Sequence, residues 1–140
     1  MDKRYILEKL NSLAKGTLME SLGIKFTDVG EDFLTGEMPV DHRTRQPFGI
    51  LHGGATMALA ETLGSAASML ITDMDKNIVV GMEVKGNHLK QVNEGFVTGK
   101  ATPVHQGKLT HLWNVDIFNE ANELTATCRI TNIILEKEQG

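Results

Sequence analysis

The chain has 140 residues, 41% of them hydrophobic, with 14 basic against 18 acidic side chains and a formal charge of −4. That is the length of one ordinary domain, 1–140, and no basic stripe or tail offers a nucleic-acid footprint. The single cysteine rules out an internal disulfide, no apolar run reaches the roughly 18 residues of a membrane span, and Met1–Glu8 lacks an apolar signal core, so the cytoplasm is the expected compartment.

In chain order, Ile6, Leu7, Leu10 and Leu13 form one stripe of a short amphipathic helix that Gly16 is expected to end. A second helical turn around Thr17–Leu22 stops at Gly23, giving a helical N-terminal segment over 1–22. Two strand-like runs follow, Ile24–Val29 and Phe33–Val40, with Gly30-Glu31-Asp32 between them as a hairpin signal. Residues 41–51 read as a polar loop tightened by Pro47 and Gly49.

From His52 to about Thr72 the pattern changes to Ala, Leu, Met and Glu with many small side chains and no proline, a helix that other elements approach closely on several sides. Alternating runs come after it: Val80, Met82 and Val84; then Val97–Val104; then Trp113, Val115 and Ile117 within Leu112–Phe118; then Leu124, Ala126, Cys128 and Ile130. The breaks at Asn93-Glu94-Gly95, His105-Gln106-Gly107 and Glu120-Ala121-Asn122 are short enough for hairpins. The expected class is α+β, with an antiparallel sheet wrapped around one long central helix. Cys128, in an apolar alternating run, reads as a small hydrophobe.

The informative anomaly is Glu61, a carboxylate among Ala58, Leu59, Ala60 and Leu63, with Ser65 one turn later on the same face. Ahead of it, Gly53-Gly54 opens the helix where backbone N–H groups are uncovered and the helix dipole is positive, a place suited to an anion or a developing oxyanion. Taken alone, either feature has an ordinary structural reading.

Together, Gln46-Pro47-Phe48-Gly49-Ile50-Leu51-His52-Gly53-Gly54 followed by Ala60-Glu61-Thr62-Leu63-Gly64-Ser65 closely resembles the signature of hotdog-fold acyl-CoA thioesterases of the phenylacetate-degradation type. The resemblance runs from about Gly23 to Glu136, and Asp41-His42-Arg43-Thr44-Arg45-Gln46-Pro47 is similar to the 1,4-dihydroxy-2-naphthoyl-CoA branch; aryl-type 4-hydroxybenzoyl-CoA thioesterases are further relatives. It implies a site assembled across a dimer. Glu61 of one subunit would be nucleophile or general base, and the Gly53 N–H of the other would polarise the carbonyl. Gln46 and His52 would hold the thioester, and Ser65 would position water or the carboxylate. An anhydride on Glu61 and attack by activated water both stay open.

The resemblance also implies a homodimer, assembling to a homotetramer, and a preference for aromatic or naphthoyl acyl groups. It places the coenzyme along Gly81, then His88-Leu89-Lys90-Gln91, then His105-Gln106-Gly107-Lys108-Leu109-Thr110. Lys90 and Lys108 could neutralise phosphates there, Gly107 could offer an accessible N–H, and Arg129 is a weaker candidate. No cofactor is expected beyond the coenzyme A of the substrate, and the five histidines show no metal-ligand spacing. Two other readings remain: a hotdog hydratase or dehydratase using His52 with Glu61, and a non-catalytic acyl-CoA binding module.

Overall fold

The computed structural model describes residues 1–138. Helix α1 spans Lys3–Ser12 and is capped by Asp2, whose carboxylate accepts the Tyr5 N–H at 3.1 Å. It ends four residues before Gly16, because the Ser12 hydroxyl donates back to Lys9 O and the chain tightens into turns. The Asn11 amide then pairs with both backbone groups of Phe26, pinning the helix to the first strand. A short helix, α2 (Leu18–Leu22), stops as expected at Gly23, which takes φ +73°.

Six strands follow around one long helix. They are β1 (Lys25–Val29), β2 (Leu34–Pro39), β3 (Asn77–His88), β4 (Phe96–Gln106), β5 (Thr110–Phe118) and β6 (Leu124–Glu136). The long helix, α3, is Gly53–Leu70. The sheet is antiparallel throughout, in the order β1-β2-β4-β5-β6-β3. Hairpins form at the Gly30, Gly107 and Ala121 breaks as expected.

The Asn93-Glu94-Gly95 break is not a hairpin. β3 lies at the far edge against β6, while β4 lies beside β2. The connection is fastened to the 41–51 loop and the end of β2 instead of turning back. Leu51 N–H donates to Val92 O, the Arg45 guanidinium to Asn93 O, and Val40 N–H to Gly95 O.

α3 packs across β2, β4, β5, β6 and β3. Its Leu59 and Leu63 are fully buried, each contributing about 2 kcal/mol of hydrophobic stabilisation. Close approach is what the small residues permit. A Cβ on Gly99 would meet Leu63 at 2.5 Å, and one on Gly64 would meet Ile130 at 2.9 Å. Cys128 is buried under Gly86, and burial, with Asp116 nearby, pushes its thiol pKa up to about 11. It is the apolar filler that its strand pattern implied.

Candidate active site

The first turn of α3 is built by His52, the N-cap. Its Nδ1 accepts the Gly54 N–H at 2.7 Å, and its carbonyl accepts the N–H groups of Ala55 and Thr56. Among the described residues the Gly53 N–H finds no acceptor. The cap therefore satisfies every donor around Gly53 and leaves that one free at the positive end of an 18-residue helix.

Gly53 lines a cavity of about 390 Å³ with Gln46, Ile50, His88, Leu89, Lys90, Gln91 and Thr125. A side chain on Gly53 would meet the His88 ring at 3.0 Å, so glycine lets this strand end close on the helix start. Gln46 is half-buried on the same wall, its Oε1 receiving the Phe48 N–H, which fixes the loop's turn. The expected residues Gln46, Gly53 and His88–Gln91 thus come together, and His52 is next to them.

Glu61 and Ser65 do not join that group within one chain. They line a second cavity, of about 420 Å³, walled by Leu10, Leu13, Leu18, Met19, Phe26 and Met69. Eight residues separate Gly53 from Glu61, which puts them about 12 Å apart along α3. Glu61 is half-buried and lies over Gly81 of β3, with Oε2 2.6 Å from where a Gly81 Cβ would stand. Along the helix–strand seam, Gly53 meets His88, Met57 meets Gly86 and Glu61 meets Gly81, one turn of α3 at a time.

The remaining coenzyme candidates divide in the same way. His88 pairs with Ala126 of β6 and Thr110 with Ile133, seven residues or about 24 Å apart along that strand. His105–Thr110 therefore sit at the opposite end of the sheet from Lys90. The Gly107 N–H is not accessible, because it closes the hairpin on Thr110 O at 2.8 Å. Lys90 is ion-paired to Glu123, and that pairing holds Glu123 below the usual carboxylate range. Lys108 is exposed at the hairpin. Arg129 is exposed, its Nε donating to Asn114 Oδ1 at 3.3 Å.

One cluster escaped the sequence reading. Ser68 of α3, fully buried, meets His111 Nδ1 at 2.8 Å, Trp113 Nε1 at 2.7 Å and Asn132 Nδ2 at 2.9 Å. Asn132 Nδ2 also donates to Gly64 O at 3.1 Å. The indole Nε1 and the amide Nδ2 can only donate, so they fill both lone pairs of the Ser68 oxygen. Its own proton must go to His111 Nδ1, which fixes that ring as the neutral Nε2–H tautomer. Burial pushes the His111 pKa down, with the nearby His105 adding to the effect. The signal was present in β6, where Asn132 interrupts Ile130 and Ile134 on the inward face.

Comparison with known proteins agrees with this architecture. Residues 48–126 match the family model described as the thioesterase superfamily. The chain is 42% identical to the 1,4-dihydroxy-2-naphthoyl-CoA hydrolase of Escherichia coli, over 95% of this chain and 97% of that one. It is 46% identical to the proofreading thioesterase EntH of Cronobacter turicensis, with the same two coverages. Among solved structures, a mutant thioesterase of Pseudomonas aeruginosa superimposes with a TM-score of 0.92 at 40% identity, covering 94% of each chain. A free N–H at the start of a helix wrapped by an antiparallel sheet, and a carboxylate two turns on, are thus found in a chain that belongs to the thioesterase superfamily and has its hotdog fold.

Proposed function

We propose that this thioesterase hydrolyses acyl-CoA esters to free acid and coenzyme A at sites shared by two subunits. The observation that carries the reading is the Gly53 N–H, unpaired among the described residues while its neighbours are capped. An oxyanion donor must lie about 3 Å from the carbonyl oxygen and the attacking group a similar distance from the carbon. A 12 Å gap along α3 prevents Gly53 and Glu61 of one chain from meeting one carbonyl, so the donor of one subunit works with the Glu61 of the other. A monomer is inactive on this reading.

In the assembled site Glu61 is nucleophile or general base. Gln46 and His52 hold the thioester on the Gly53 side, and Ser65 positions water or the carboxylate. No metal or further cofactor enters. The subunits join along the free edge of β3, and two dimers form the tetramer. The acyl group enters the apolar cavity beside Glu61, whose lining by Leu10, Leu18, Phe26 and Met69 suits aromatic or naphthoyl groups. The name of the Escherichia coli relative, a naphthoyl-CoA hydrolase, points the same way. The enzyme works in the cytoplasm.

A hydratase using His52 as base is disfavoured. With Nδ1 accepting the Gly54 N–H, the neutral ring carries its proton on Nε2 and has no free nitrogen to take another. A pure binding module would have no use for the room that Gly81 leaves for the carboxylate. The test is thiol release from benzoyl-CoA and a 3-hydroxyacyl-CoA by wild type and Glu61→Gln. Wild type should release free CoA from the aromatic ester and form no enoyl product, and the variant should lose at least about a hundredfold in kcat. A fully active Glu61→Gln protein would sink the mechanism.

A further inference from the structure

Among the described residues β3 is hydrogen-bonded along one side only, to β6, so its other side presents unpaired backbone groups over 12 residues. Its register with β6 sorts its side chains. Val84, opposite Ile130, and Gly86, opposite Cys128, face α3; Glu83, opposite Thr131, and Lys85, opposite Arg129, face away from it and are exposed. Lys85 and Arg129 form a directly opposed like-charge pair, an unfavourable arrangement in a sheet. Among the described residues neither has an acidic ion-pair partner, and Glu83 has no basic one.

A second copy of β3 laid antiparallel along this edge must put like faces together. The two-fold axis therefore passes through a residue and not between two. With Glu83 on the axis, two glutamates meet. With Lys85 on the axis, two lysines meet beside two arginines. With Val84 on the axis, each Glu83 faces the partner's Lys85, and the acid that the Lys85–Arg129 pair lacks is supplied twice.

We propose that Glu83 and Lys85 set the register of a β3–β3 pairing centred on Val84. This rests on the shared-site reading above and gives it a geometry. Past the bulge at Met82, Gly81 comes opposite the partner's Gly86 and the partner's Asn87. Glu61, lying over Gly81, is thereby carried toward the partner's His88 and the partner's Gly53. Moving the axis by one residue slides the partner by two, about 7 Å, which is enough to separate carboxylate and oxyanion donor.

The experiment uses Glu83→Lys, Lys85→Glu, the double reversal and an equimolar mixture of the two single variants. Dimerisation is measured by sedimentation at low salt, hydrolysis of benzoyl-CoA on dilute enzyme, and folding by circular dichroism. Each single variant places like charges across the axis and should dissociate about tenfold more readily, losing activity in parallel. The mixture should recover both, because the introduced lysine of one chain faces the introduced glutamate of the other, and so should the double reversal. Single variants that assemble and react like wild type overturn the register, and so do folded single variants whose mixture fails to recover. Wild-type chain that keeps full activity as a monomer on dilution overturns the shared site itself.

Discussion

The carboxylate of Glu61 occupies the space that a side chain on Gly81 would need: a Cβ there would stand 2.6 Å from Glu61 Oε2. The obstacle is the far end of a flexible side chain and not backbone, so the fold can accommodate a methyl group by turning the carboxylate aside. Gly81→Ala is expected to keep the wild-type melting temperature within a few degrees while kcat falls about ten- to a hundredfold, since a displacement near 1 Å costs on that order. Thermal unfolding and steady-state kinetics on the same sample check both halves.

Ser68 is the hub of the buried cluster, and its removal takes a partner from three polar groups at once. Ser68→Ala strands the Trp113 indole N–H and one Asn132 amide hydrogen-bond position, and deprives His111 Nδ1 of its donor. Each buried unsatisfied group costs about 1–3 kcal/mol, so a loss near 3 kcal/mol is expected in urea unfolding. A loss under about 1 kcal/mol would show that the cluster is not a unit.

The same cluster makes stability depend on pH in a direction fixed by its hydrogen bonds. Folded His111 is held neutral, with its pKa below the ordinary 6.5, whereas the unfolded chain protonates normally. The unfolded state therefore binds more protons as pH falls past that value. The contribution is complete above pH 6.5 and is lost below it, at up to about 1.4 kcal/mol per pH unit, until the folded pKa is reached. Urea unfolding from pH 8 to 5 should show this slope, and His111→Asn, which keeps an acceptor near the Nδ1 position, should flatten it.

As candidates for holding a phosphate, the two lysines are not equivalent. Lys90 is already paired to Glu123, whereas Lys108 is exposed and in no ion pair among the described residues. Lys108→Ala should raise KM for benzoyl-CoA about three- to tenfold with kcat near wild type, and Lys90→Ala should do less. Equal KM values for wild type and the Lys90/Lys108 double variant would remove both from the phosphate site.

Much of this architecture was legible because the inward faces are written as simple alternation. Trp113, Val115 and Ile117 read as one face of a strand, and the small residues of α3 announced close neighbours. Strand order was not legible. A hairpin-length gap at 93–95 looks like any other turn, and the ties from Arg45, Leu51 and Val40 that send the chain elsewhere come from residues far away in sequence. The same holds for the site. Gly53, Glu61 and Gln46 lie within one short stretch and could be read together, whereas Lys90 with Glu123, and Ser68 with His111, are joined only by pairings that span the sheet. Asn132 was visible as a polar residue on an apolar face, but not its two partners, Gly64 O and Ser68 Oγ.

The placement of β3 beside β6 also sets an order of events during synthesis. The strand that floors Glu61 precedes its one neighbour among the described residues by two other strands, with Asn77 paired to Glu136 and His88 to Ala126. Helix α3 and the β2-β4-β5 sheet can form while β3 still has no hydrogen-bonded neighbour, and only emergence of the last strand closes the ladder. Contacts of such long sequence separation are slow to form, so the floor beneath Glu61 is completed late. Until then the twelve residues of β3 carry backbone groups open to chance pairing.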